Sequence, residues 1–253
     1  MVQMLNASRT GDNTVSHSIF QISPPKNGSR RLAECDFTPV SRWAFECFAE
    51  VYERYDAHAA NTFYRQISTS PLSASLWGYV FEARVLNYVD ARGCNFKIRG
   101  LASNSKEPWK CRGPIPRFNF LQESDFVNEL TKAIQEKKVS LHLVPSVRNF
   151  TTVHSILYTR NEVLTFLQCT VGKKEHPINV EGLTRLRSWL KTGTSLGPLR
   201  PSTKKPWRLI FIVPPGQAST FKQQRLDGNA EGSWANWVTQ YVLELDVLEN
   251  KRK

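Results

Sequence analysis

TTVHSILYTRNEVLTFLQCTV, residues 151–171, consists of two runs of apolar and β-branched residues separated by Arg160 and Asn161. Val, Ile, Thr, Phe and Leu suit the pleated, half-buried surface of a sheet, and Asn between two such runs is a turn residue. The segment reads as one β-hairpin with strands over 151–158 and 163–171. With position 158 opposite 164, strict alternation pairs 156 with 166 and 154 with 168. One face then carries His154, Ile156, Tyr158, Leu164, Phe166, Gln168 and Thr170. Both faces are rich in apolar or β-branched side chains, as expected of strands in the middle of a sheet covered on both sides.

Downstream, a turn at 177–179 opens a basic helix over 180–191. The run WRLIFIV at 207–213, stopped by Pro214 and Pro215, reads as a buried strand, and a last strand is expected at 241–245. Upstream, SDFVNELTKAIQEKK (124–138) reads as a helix with Ser124 or Asp125 as N-cap and a terminal lysine pair. Strands are expected at 95–101, 115–121 and 140–144, and the polar stretch after Leu101 reads as a loop. Helices are expected from Trp43 to Tyr52, at 57–67 and at 72–89. In the last of these Leu76, Val80, Phe81, Val85, Leu86 and Val89 form the buried stripe and Gly93 is the stop signal. Residues 1–39 show little periodicity and read as an irregular or disordered leader. The order of elements predicts an α/β fold of three layers, a central mixed sheet flanked by helices, with an N-terminal helical extension. The expected division is a leader at 1–38, the helical extension at 39–70 and one domain at 71–253.

The chain's 253 residues, 40% hydrophobic and 22% charged, suit one globular domain with an extension. The longest apolar runs are under about ten residues, whereas a membrane helix needs about 20, so no spanning segment is expected. The first twenty residues lack an apolar h-region, which argues against a standard secretory signal. Five scattered cysteines, none spaced as CxxC, support neither a disulfide framework nor a zinc site and suit a reducing compartment. The net charge is +12. More than half of this surplus falls between residues 173 and 208, where Lys173, Lys174, Arg185, Arg187, Lys191, Arg200, Lys204, Lys205 and Arg208 face only Glu175 and Glu181. A concentrated surplus favours a polyanionic partner, although such a run also suits a solvated helix face.

On the hairpin face the apolar residues gather near the turn and the polar trio His154, Gln168 and Thr170 at the far end, followed closely by Lys173 and Lys174. A polar cluster at one end of an apolar sheet face is a candidate site, and it equally suits a hydrogen-bonded sheet rim. His176 before Pro177 reads as a helix cap. His17, His58 and His142 show no ligand spacing, and Trp207, Trp234 and Trp237 are expected in the core rather than as base-stacking platforms. Neither GxxxxGK[ST] nor GxGxxG is present, and no nucleophile elbow is found.

The order LWGYVFEARVLNYV (76–89), then HLVPSVRNFTTVHSILYTRNEVLTFLQCTVGKKEHPINVEGLTRL (142–186), then PWRLIFIVPP (206–215) and QYVLEL (240–245) resembles the restriction-endonuclease-like domain of Crinkler and retrotransposon-hot-spot type proteins, numerous in fungal genomes. The resemblance covers roughly residues 71–245. It implies a restriction-endonuclease-like core carrying the metal site of the PD-(D/E)XK nuclease superfamily. Under it Glu82 falls on the helix glutamate and Gln168 on the acidic or amide position of the strand. Thr170 falls where an active nuclease keeps a lysine, and His154 stands at the aspartate position. Magnesium takes oxygen ligands and wants at least one or two carboxylates, whereas imidazole suits softer ions. With His154 and Gln168 in place, Glu82 alone supplies anionic charge, so weak Mg²⁺ binding and lost catalysis are expected.

The expected function is therefore a nucleic-acid-binding domain with a degenerate metal site, DNA preferred over RNA. Lys173, Lys174, Arg185, Arg187, Lys191, Lys204 and Lys205 would hold the phosphate backbone. Two alternatives stay open. One is an active Mg²⁺- or Mn²⁺-dependent nuclease with Glu82, His154 and Gln168 as metal ligands and Lys173 or Lys174 stabilising the transition state. The other is an effector-type protein-interaction module. An intracellular location, the nucleus included, is expected, with no membrane partner.

Overall fold

The computed structural model describes residues 20–23, 36–39, 49, 51, 54–55, 57–69, 74–146, 153–172, 177–227 and 234–248. The chain forms two compact units, Met1–Ala83 with Leu248–Lys253, and Arg84–Val247.

In the first unit β1 (Phe20–Ser23) and β2 (Asp36–Pro39) pair antiparallel, with Phe20 opposite Pro39. This corrects the reading of the whole leader as irregular; four residues are too few for a period of two to stand out. Helix α1 (Ala57–Thr69) buries Ala60, Tyr64 and Ile67, spaced by four and three residues, as expected of one helix face. Of the helix expected over 43–52, Ala49 and Val51 are helical and the rest lies outside the described residues. Helix α2 (Ala74–Arg92) starts in the first unit, where Leu76, Trp77, Val80 and Phe81 are buried. From Arg84 onward it belongs to the second, where Val85, Leu86 and Val89 are buried. It stops where expected, because Gly93 has φ 70°.

The second unit continues through β3 (Gly93–Gly100), β4 (Lys106–Arg112), β5 (Arg117–Phe120), α3 (Glu123–Gln135), β6 (Ser140–Pro145), β7 (Ser155–Thr159) and β8 (Thr165–Cys169). After the two-residue β9 (Ile178–Asn179) come α4 (Val180–Trp189), β10 (Trp207–Val213), the two-residue β11 (Leu226–Asp227), the single turn α5 (Trp234–Trp237) and β12 (Val238–Glu244). Eight strands form one mixed sheet in the order β4-β3-β12-β10-β8-β7-β6-β5. Strands β6, β7 and β8 make an antiparallel meander, and β10 lies parallel between β8 and β12. The hairpin register is the one read from alternation, with Ile156 opposite Phe166 and Ser155 opposite Leu167, and Asn161 at the turn has φ 68°.

One sheet face presents Leu141, Leu143, Ile156, Phe166, Leu209 and Phe211 to a core completed by Phe126, Leu130 and Ala133 of α3 and by Val180, Leu183, Leu186 and Trp189 of α4. On the other face the end of α2 packs in, with the Tyr88 ring 5.9 Å from that of Phe96. Two layers of helix thus enclose a mixed sheet, the expected α/β arrangement. The sheet curls far enough for Thr159 of β7 to donate a hydrogen bond to the Cys111 thiol of β4 at 3.6 Å.

Two local expectations are corrected. KEPWKCR (106–112) is a strand rather than a loop, paired with β3 from Arg99–Lys106 to Gly93–Arg112. It is the edge of the sheet, where Pro108 costs no ladder hydrogen bond, and only Trp109 and Cys111 point into the core. Helix α3 is capped at Gln122, and Asp125, three residues on, accepts hydrogen bonds from the backbone N–H groups of Leu121 and Gln122. Asp125 is thus the returning acid of the cap rather than the cap itself.

Gly93 and Gly216, with φ 70° and 82°, separate conformational strain from space. A Cβ on Gly93 would collide with backbone atoms of Cys111 and Gly113, whereas one on Gly216 meets nothing within 4 Å. Gly216→Ala should cost about 1 kcal/mol and Gly93→Ala several times more, read from the urea midpoints of the two variants.

Candidate functional site

His154 sits immediately before β7, and Gln168 is the fourth residue of β8, so the hairpin register sets them side by side. The Nε2 atoms of His154 and Gln168 are 3.5 Å apart. The backbone N–H of Cys169 donates to His154 Nδ1 at 3.2 Å. A ring nitrogen that accepts carries no proton, so the neutral imidazole holds its proton on Nε2, facing the Gln168 amide. A half-turn of that amide brings Oε1, buried and without a hydrogen-bond partner as oriented, onto the Nε2 proton. Thr170, one strand step further, is buried, and its backbone N–H donates to the carbonyl of Ile212 on β10.

This geometry tests the pair as metal ligands. The Nδ1 lone pair of His154 is taken by a backbone N–H and its Nε2 bears the proton, so in this arrangement the ring has no lone pair to give. Gln168 offers one neutral carbonyl oxygen. Such a donor set does not fit Mg²⁺, which needs charged oxygen ligands. Among the described residues no group of three or more His, Cys, Asp or Glu side chains is placed to hold a metal ion. Glu82, half-buried on α2, belongs to the first unit, whereas His154, Gln168 and Thr170 belong to the second. Lys173, Lys174 and His176 lie outside the described residues.

The cations expected to hold phosphate do not form one class. Arg185, Lys191, Lys204 and Lys205 are exposed. Their exposure follows from the local fold. Asn179 caps α4 by accepting hydrogen bonds from the N–H groups of Glu181 and Gly182, and the apolar stripe Val180, Leu183, Leu186 and Trp189 commits one side of the helix to the core. Arg185 is left outside, its guanidinium 5.5 Å from the centre of the Trp189 ring. Arg187 is different. Its guanidinium lies 4.4 Å from the centre of the Trp237 ring and its Nε is buried without a hydrogen-bond partner. Burial first and the neighbouring Arg200 second lower its pKa from the ordinary arginine value. Arg187 thus packs as much as it presents charge. Arg200 donates to the carbonyl of Leu190 at 3.0 Å, and Arg208 lies 3.7 Å from Glu162.

His142, which shows no ligand spacing in the sequence, belongs to a buried polar group. His142, wholly buried on β6, sits with Nδ1 2.5 Å from Asp90 of α2, and the other oxygen of Asp90 faces Arg117 of β5. Arg117 also donates to Asn87 at 3.0 Å. The cluster ties α2 to two strands from chain positions far apart. Of the three tryptophans, Trp207 and Trp234 are core as expected, and their indole N–H groups donate to the Leu199 carbonyl and the Thr184 hydroxyl. Trp237 is half-buried beneath Arg187.

Comparison with family models, with curated proteins and with solved structures gives no match. Among the described residues no helix is long and apolar enough to cross a membrane.

Charge reversal separates the two kinds of cation. Arg187→Glu puts a carboxylate against an indole in a partly desolvated position and should lower stability by about 2 kcal/mol or more. Lys191→Glu, at a solvated site, should stay within about 0.5 kcal/mol of the parent in the same denaturant titration. Equal losses in both would show that the Trp237 contact carries no stability.

Proposed function

We propose that the second unit is a nucleic-acid-binding domain of restriction-endonuclease-like build that holds the phosphate backbone without hydrolysing it. The observation that carries this reading is the set Arg185, Lys191, Lys204 and Lys205. All four are exposed, and among the described residues none is paired with a carboxylate. Unpaired, solvated cations keep their counterions until a polyanion displaces them, and the release of those ions is the main drive for backbone binding. Cations already neutralised by Asp or Glu would contribute little to that drive.

Two further features support the build. The meander β6-β7-β8, the crossover through α4 and the parallel strand β10 form a mixed sheet between helices, as the resemblance implies. At the implied metal positions in this unit, the Nδ1 lone pair of His154 accepts from the Cys169 N–H and Gln168 offers a neutral amide, a donor set that supports binding without hydrolysis. The chemistry that remains is binding: lysine and arginine position a backbone and carry no sequence information.

Affinity should fall steeply with salt and depend little on sequence. Replacing Lys191, Lys204 and Lys205 together by Ala should make the slope of log affinity against log salt shallower by about 2.7 for duplex DNA, three contacts at about 0.9 each. Fluorescence anisotropy across a salt series reads this, and an unchanged slope would remove these lysines from the interface.

Incubation of the purified protein with plasmid DNA in Mg²⁺ or Mn²⁺ should leave the supercoiled form intact. Nicking that disappears in Glu82→Ala would overturn the non-hydrolytic part of the proposal while leaving backbone binding in place.

A further inference from the structure

The two faces of the β3–β4 ribbon differ sharply in chemistry. Residues directly opposite each other on paired strands share a face. On one face Cys94 stands opposite Cys111 and Phe96 opposite Trp109, and the Phe96 ring meets Tyr88 of α2. On the other face Lys97 stands opposite Pro108, Asn95 opposite Lys110 and Arg99 opposite Lys106, with Arg112 one alternation beyond Lys110. Lys97, Lys106, Lys110 and Arg112 are exposed, and among the described residues none has a carboxylate partner. Glu107, the one acid between Gly93 and Arg112, points to the opposite face, where it accepts a hydrogen bond from the Tyr241 hydroxyl at 3.1 Å.

Register places this cationic face on the same side of the sheet as α4. Arg99 is opposite Val242, Val242 is opposite Phe211, and Phe211 belongs to the core that α3 and α4 cover. Arg99 itself is engaged, donating to the carbonyls of Ala218 and Phe221, and the Phe221 ring lies 5.1 Å from that of Phe211. From there to the β4 edge the outward side chains are cationic or polar rather than apolar. Lys97 lies diagonally between Lys106 and Lys110, about 7–8 Å from each between backbones, so the charges fall within about one Debye length of one another and their potentials add.

We propose that this outward ribbon face is a second contact for the phosphate backbone, held by Lys97, Lys106, Lys110 and Arg112. The inference rests on the backbone-binding reading above and carries the interface from α4 across the sheet to its β4 edge. From β10 to β4 is three strand spacings, about 14 Å at about 4.8 Å each. That is well under the length of one duplex turn, about 34 Å, so one duplex can reach both sets of cations. An added peptide strand fits the edge less well, because Pro108 leaves the middle of β4 without an N–H to offer.

The experiment reads the slope of log affinity for a mixed-sequence duplex against log salt, by fluorescence anisotropy. It compares the parent with Lys97→Ala, Lys106→Ala and Lys110→Ala combined, and with Lys97→Arg, Lys106→Arg and Lys110→Arg combined. The Ala set should make the slope shallower by about 2.7, three contacts at about 0.9 each, and the Arg set should keep the parent slope. Single changes Lys106→Ala and Lys110→Ala, shallower by about 0.9 each, carry the same test should the triple set fail to fold. An unchanged slope in the Ala variants overturns the ribbon contact and leaves the α4 and loop cations as the interface. Lysine and proline on an edge strand also discourage pairing with a second chain. An Ala set that self-associates in sedimentation yet keeps the parent slope shows that role alone and likewise overturns the proposal. A loss that the Arg set shares would show that the charge is not what is read, with the same consequence. Absence of duplex binding by the parent removes the backbone reading as well.

Discussion

Strand β10 has a hydrogen-bonded neighbour on each edge, β8 and β12, and helices or chain over the sheet's faces, so nearly every side chain from Trp207 to Val213 is buried. That constraint organises the second unit. A strand enclosed on four sides tolerates only apolar residues, and its parallel pairing with β8 requires the chain to cross back over a face of the sheet. The crossover is α4, and its stripe from Val180 to Trp189 is consumed in covering the same core. Whatever charge the helix carries must then lie on its outer side. The basic surface is thus a consequence of packing geometry: the sheet takes the apolar half of α4 and solvent receives Arg185 and the lysines beyond it.

The parts of the fold governed by short-range pattern were legible in the sequence. The hairpin could be read to the residue because period two, a turn at Arg160 and Asn161 and burial on both faces all point to one register. The end of α2 was legible because a single glycine with φ 70° leaves one reading. Strand β4 was not legible. It is polar on its outer side and interrupted by Pro108, and it is a strand because β3 offers a ladder, which no local property of KEPWKCR reveals. The pair β1 and β2 escaped notice for the same reason, each strand being only four residues long.

The candidate site divides along the same line. His154 and Gln168 could be placed together from the register alone, but their protonation pattern could not, since it depends on the Cys169 N–H pointing at Nδ1. His142 shows no ligand spacing, because its partner Asp90 stands 52 positions away on another element. Arg187 looked like its neighbours in a basic run. Only the fold brings Trp237, from the far side of β10, under its guanidinium. Long-range contacts decide which charges are free and which are structural, and a charge count treats them alike.

Electrostatics joins the neutral pair to the basic surface. A hydrolytic centre concentrates charge: carboxylates gather a metal, and the metal with a lysine balances the charge that builds on the phosphoryl group. At the end of β8, His154 Nδ1 accepts from the Cys169 N–H, and its Nε2 lies 3.5 Å from the Gln168 amide nitrogen. Exposed cations without a carboxylate partner in the described second unit include Arg185 and Lys191 at α4, Lys204 and Lys205 in the loop beyond it, and Lys97, Lys106, Lys110 and Arg112 on β3 and β4. Strong, rigid, opposed charges serve the making and breaking of bonds. Mobile charges of one sign serve reversible attachment to a polymer, because each contact forms and breaks without reorganising the core beneath it.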